Sequence, residues 1–133
     1  MMDESKVEFA PLLSSPEKII CVGLNYKKHQ EETGMSKPVC PILFNKFNNA
    51  IASHQQIINL NKNAFKYDYE AELVIIIGKD AKNVSYEHAL DYVFGYTVGN
   101  DLSARDLQLK TSQWLLGKSL DGFAPMGPYC VSA

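Results

Sequence analysis

The chain of 133 residues has little cysteine, no long apolar run and no surplus of positive charge. Cys21, Cys40 and Cys130 are odd in number and widely spaced, with no CxxC pair. Neither a zinc ribbon nor a disulfide framework is indicated, and a reducing compartment is expected. The longest strongly apolar run, Leu73–Ile77, falls far short of the about 20 residues that span a bilayer. The N-terminal stretch "MMDESKVEFAPLLSSPEK" is polar and lacks an apolar core of the secretory kind. These absences point to a cytoplasmic protein without membrane contacts. The formal net charge is -2, and Lys27–Lys28 is the one basic cluster. Nucleic-acid binding therefore has no electrostatic footprint. P-loop, dinucleotide, serine-elbow and HExxH motifs are missing as well.

What is present suits one globular domain, with 46% hydrophobic and 21% charged residues. Residues 1–17, with two prolines and a serine pair, read as a tail or edge segment, and 18–133 as the domain. Strands are expected at 18–26, 37–47, 65–78 and 93–101, with a last one beginning near Pro128. The stretch 65–78 reads as the longest, with Leu73–Ile77 as its buried anchor. Short helices are expected at 26–34, at 85–92 with Ser85 as N-cap, and from 103, where Ser103 and Asp106 match a capping box. Gly95 and Gly99 suggest bulges or close approach. Many strands with few, irregularly placed helices indicate a mainly-β or α+β architecture.

The chemistry is concentrated in "KYDYEAELVIIIGKD" (66–80), where Asp68, Glu70 and Glu72 alternate. Alternate residues of a strand share a face. They read equally as the solvated half of an exposed strand. Asp101 favours a site, because it closes the apolar segment "VFGYTVGN", where a charge has no packing role. Carboxylates converge only around a cation, and an all-oxygen set prefers Mg²⁺, Mn²⁺ or Ca²⁺. Asp68 reads as a surface or supporting residue. In "HQEE", His29 and Glu32 are three apart and neighbours on a helix. They read as a general base with its orienting carboxylate, or as an ordinary polar helix face. Arg105 and Lys118 suit an anionic substrate, and Gln108 a carbonyl or a water.

Taken in order, "VGLNYKKHQEE", "YDYEAELVIIIGK", "DYVFGYTVGNDLSARDLQ" and "GKSLDGFAPMGP" resemble the signature segments of the fumarylacetoacetate hydrolase family, across residues 18–133. The resemblance implies mixed β-sheets rolled around an active site. It implies Mg²⁺ or Mn²⁺ held by Glu70, Glu72 and Asp101, a catalytic dyad of His29 and Glu32, a substrate-site lysine at Lys118, and substrate contacts from Arg105 and Gln108. The implied substrate is a small 2-oxo acid, cleaved hydrolytically if an acylpyruvate or decarboxylated if oxaloacetate. Isomerisation or hydration of unsaturated 2-oxo or 2-hydroxy diacids is the alternative. An "NGE"-like strand and a glycine-rich "TGTP" segment, also implied, are not in this chain, so the roll is expected to be incomplete. That raises a third reading, a catalytically silent association module. A homodimer or higher homo-oligomer is expected.

Overall fold

A computed structural model describes residues 6–27 and 38–133. Nine short strands run through it: β1 (Ile19–Gly23), β2 (Ile42–Lys46), β3 (Ile51–Ala52), β4 (Tyr67–Asp68), β5 (Ala71–Ile77), β6 (Val93–Asn100), β7 (Ser103–Ala104), β8 (Ala124–Pro125) and β9 (Val131–Ser132). β1 and β2 form an antiparallel pair with Cys21 opposite Phe44. β5, β6 and β9 form an antiparallel sheet with β6 in the centre. β3 pairs with β8 in parallel and β4 with β7 antiparallel. Two one-turn helices, Arg105–Gln108 and Leu115–Lys118, follow β7. Strands dominate, as the composition of the segments suggests.

The core is small. Ala50, Ala64, Ala104, Phe123, Ala124 and Met126 are buried together, and Leu12 and Leu13 from the N-terminal segment pack against them. Four features depart from expectation, the last of them the burial of Leu73–Ile77. The single strand foreseen at 65–78 is two, because backbone pairing passes from β7 to β6 at Tyr69–Glu70; β6, with eight residues, is the longest. The helix at 85–92 is a 3-10 helix over Tyr86–Tyr92, and the Ser85 side chain makes no capping bond to its backbone. The capping box of Ser103 and Asp106 does not form. Ser103 lies in β7 and donates to the Asp101 carbonyl at 3.0 Å, while Asp106 accepts the backbone N–H of Lys66 at 3.2 Å. The helix foreseen at 26–34 lies, beyond Lys27, outside the described residues.

Leu73–Ile77 is not a buried anchor. Strand alternation turns Glu72, Val74 and Ile76 inward and leaves Leu73, Ile75 and Ile77 facing out. With Phe94, Val98 and Val131 they make an apolar outer face, each residue 50–67% exposed. The expected close approach at the β6 glycines is present: a Cβ on Gly95 would fall 2.4 Å from the Val131 carbonyl oxygen.

Gly117 matters most for the site. A Cβ there would fall 2.4 Å from both the Ala104 carbonyl oxygen and the Gln108 nitrogen. The two one-turn helices touch at this point, and the contact sets where Lys118 begins. Gly117→Ala is expected to cost about 1–3 kcal/mol through overpacking, read from the urea midpoint. An unchanged midpoint would show that the helices part freely.

Candidate active site

Three separate segments bring the charges together. Glu70 sits at the break between β4 and β5, Asp101 follows β6, and Lys118 ends the second one-turn helix. Glu70 and Asp101 are tied by the backbone, since the Asp101 N–H donates to the Glu70 carbonyl at 2.9 Å. The Lys118 ammonium donates to Glu70 Oε2 and to Asp101 Oδ2, each at 2.7 Å. Lys118 is 2% exposed and Asp101 8%. Its ammonium also lies 5.1 Å from the centre of the Phe44 ring, a cation–π distance. Phe44 in turn meets Trp114 edge-on at 5.3 Å.

Sequence reasoning missed Lys46. It is buried at the end of β2 and its Nζ lies 2.7 Å from Asp101 Oδ1. It also donates to three backbone carbonyls: Leu102 at 3.2 Å, Phe123 at 2.8 Å, and Lys118. An ammonium has three N–H groups. All three are taken by carbonyls, so Asp101 Oδ1 receives charge from Lys46 without an aligned hydrogen bond. One signal was available: β2 turns Ile42 and Phe44 inward, and Lys46 continues that alternation.

Arg105 supports the site from outside. Its guanidinium reaches Asp68 Oδ2 through Nε at 3.0 Å and Nη2 at 2.8 Å, and Glu70 Oε1 through Nη2 at 2.6 Å. Nη1 donates to Gln108 Oε1 at 3.0 Å, and Gln108 is buried. Asp68 is thus the supporting residue expected of it. His29 and Glu32 lie outside the described residues. Of the remaining histidines, His54 meets the Phe9 ring at 5.1 Å and His88 is an exposed partner of Asp91.

The charges set the protonation states. Burial by itself would raise the Glu70 carboxyl, but the hydrogen bond and charge of Lys118, with the Arg105 bond, outweigh it and hold the group at about 2. Asp101 is raised, because burial outweighs the pull of Lys46 and Lys118. Glu72 is raised too, by burial and by the charges of Glu70 and Asp101, against a bond from Tyr26. Burial also pushes the Cys21 thiol up to about 11, with Asp101 adding to the effect, so it is no thiolate nucleophile at neutral pH.

The donor set suits a hard divalent cation. Glu70, Glu72 and Asp101 offer only carboxylate oxygens. Against their three charges stand the ammoniums of Lys46 and Lys118, while Arg105 is matched by Asp68. One negative charge is left over. Among the described residues no three His, Cys, Asp or Glu side chains are already arranged as a ligand set. Glu70 and Asp101 are instead drawn onto Lys118. The open cavity lined by Asn59, Asn61, Ser119, Leu120, Asp121 and Phe123 lies beside this cluster, and none of the three carboxylates lines it.

A pH dependence follows from Glu70. Its folded pKa is held below the ordinary glutamate value, so its stabilising effect is complete above that ordinary value and is lost as pH falls toward about 2. In chelator, the wild-type melting temperature should fall across this window. Glu70→Gln should start lower at pH 7 and fall less. Parallel acid profiles would assign the sensitivity to other carboxylates.

Comparison with known proteins places the chain in a family. The chain is 58% identical over 118 residues to the fumarylacetoacetate hydrolase domain-containing protein 2 homolog of Dictyostelium discoideum, covering 87% of this chain and 39% of that one. It is 43% identical to a Xenopus laevis protein named oxaloacetate tautomerase fahd2, mitochondrial, covering 99% of this chain and 42% of the relative. The solved structure of 5-carboxymethyl-2-hydroxymuconate delta-isomerase from Mycobacterium smegmatis superposes with a TM-score of 0.77 at 42% identity, covering 92% of this chain and 47% of that one. The chain thus spans less than half the length of these relatives. No helix among the described residues is long and apolar enough to cross a membrane, while the mitochondrial relative lends no support to a cytoplasmic address. Residues 18–133 match the family model described as fumarylacetoacetate (FAA) hydrolase C-terminal, and the chain belongs to the fumarylacetoacetate hydrolase family.

Proposed function

We propose that this chain carries the charged half of an active site for small 2-oxo acids, working through an enolate next to the 2-oxo carbonyl. The observation that carries the reading is the buried convergence of Glu70 and Asp101 on Lys118 at 2.7 Å each. Burying ions is costly unless they serve each other or a ligand, and the convergence matches the chemistry of the family. Glu70, Glu72 and Asp101 are the residues that would hold Mg²⁺ or Mn²⁺, with Ca²⁺ also compatible with the donors. Such an ion, when bound, supplies Lewis-acid polarisation of the substrate carbonyl.

The chain's own residues do the rest. Lys118 neutralises the substrate carboxylate or the oxygen on which enolate charge develops. Arg105 holds Glu70 and Asp68 in place and orients Gln108, whose amide meets a substrate oxygen. His29, oriented by Glu32, moves the proton. The relatives' names favour proton transfer, tautomerisation or isomerisation, as the first reading. Hydrolysis of acylpyruvates and decarboxylation of oxaloacetate share the enolate and form the second. With Mn²⁺, the protein should accelerate loss of the enol absorbance of oxaloacetate. Glu70→Ala should lose at least about 100-fold, the upper end of what a supporting residue costs. No acceleration of any 2-oxo acid conversion, or full activity of Glu70→Ala in chelator, would overturn the reading.

We also propose that the chain works as a homodimer or higher homo-oligomer. The uncharged outer face of β5, β6 and β9 supports this, because contiguous exposed apolar surface marks an interaction site and sheets pack face to face. The same face favours the association-module reading if turnover is absent. Light scattering should give at least a dimer for the wild type and a folded monomer for the double variant Ile75→Lys, Val98→Lys. A monomeric wild type at micromolar concentration would refute the oligomer.

A further inference from the structure

All four carboxylate oxygens of Glu70 and Asp101 face cations of the chain itself. Glu70 Oε1 is taken by Arg105 at 2.6 Å and Asp101 Oδ1 by Lys46 at 2.7 Å. Glu70 Oε2 and Asp101 Oδ2 are both taken by Lys118. These three cations differ in how firmly they are held. Lys46 is fixed by three backbone carbonyls. Arg105 is fixed by two bonds to Asp68 and one to Gln108. Among the described residues, the Lys118 ammonium hydrogen-bonds to the two carboxylates and is supplemented by the Phe44 ring. It sits at the end of a flexible four-carbon stem.

We propose that the Lys118 ammonium is the resident cation of this site and yields its place when a divalent ion loads, so that the chain's own lysine sets the site's affinity for metal. The inference rests on the metal-holding reading of Glu70, Glu72 and Asp101 given above. Lys118 and a metal ion would compete for the same two carboxylates. While Lys118 holds them, the two carboxylates stay apposed without collapse or repulsion. Once released, the ammonium remains tethered beside the site and is available to an anionic substrate. Loading and anion capture are thereby coupled, and by linkage the coupling runs both ways.

The test is a calorimetric titration of Mn²⁺ into the wild type and Lys118→Met, which keeps the bulk of the stem and removes the charge. The variant should bind Mn²⁺ at least about tenfold more tightly, because a competing unit charge within hydrogen-bond distance is gone. Equal or weaker binding by a folded variant overturns the proposal and leaves the metal reading intact. Absence of Mn²⁺ binding by both proteins overturns both. A second measurement needs no folded variant at this position: the ¹⁵N side-chain resonance of Lys118 in the wild type, assigned by through-bond correlation along its own side chain, should move when Mg²⁺ is added. A resonance that stays in place while Mg²⁺ binds would refute displacement.

Discussion

Asp101 lies between two ammonium groups, with Lys46 and Lys118 each 2.7 Å from one of its oxygens. At 8% exposure, this carboxylate needs positive charge beside it. Removing one member of a buried ion pair typically costs about 3–5 kcal/mol, because a charge is left uncompensated. Strand β6 carries Asp101 to the centre, β2 delivers Lys46 from one side and the Leu115–Lys118 helix delivers Lys118 from another. The packing of these elements and the charge balance of the site are one constraint. Lys46 makes this explicit, since the carbonyls it gathers belong to Leu102, Lys118 and Phe123, which lie on three different stretches of backbone.

The site divides into fixed and exchangeable parts. Asp68, Arg105 and Lys46 form a scaffold in which each side chain is held by two or more groups, and Gln108 is held by Arg105. Glu72 lies at its margin, half-buried and near Tyr26, with its carboxyl raised by burial and by its acidic neighbours. A rigid support under a small number of adjustable groups is the arrangement that positioned chemistry requires.

How much of this was legible in the residues depended on the kind of signal. Strands β1, β2, β5 and β6 could be located because runs such as "IICVG", "ILFNK" and "VFGYTVGN" are rich in residues that fit a pleated surface. The approach of Glu70 to Asp101 was legible from an acid closing an apolar strand. The break at Tyr69–Glu70 was not, because β4 and β5 differ only in their partner strand, and partner choice is a long-range property. The burial of Leu73–Ile77 was misjudged because apolar character indicates that a face will be covered by something, without indicating by what. The capping box failed because Ser103 found a better acceptor in the Asp101 carbonyl, and local pattern gives way to such contacts. Lys46 went unread because a lysine at the end of a strand is ordinarily solvated, and its partners lie far along the chain.

That distance has a consequence in time. The partners of Lys46 are 56 to 77 residues downstream. During synthesis, β1 and β2 can pair early, but the lysine at the end of β2 has no site to enter until Phe123 has left the ribosome. Loop closure over such spans is slow relative to local pairing. The charged cluster therefore cannot be complete until Phe123 joins it, later than the local pairing of β1 with β2.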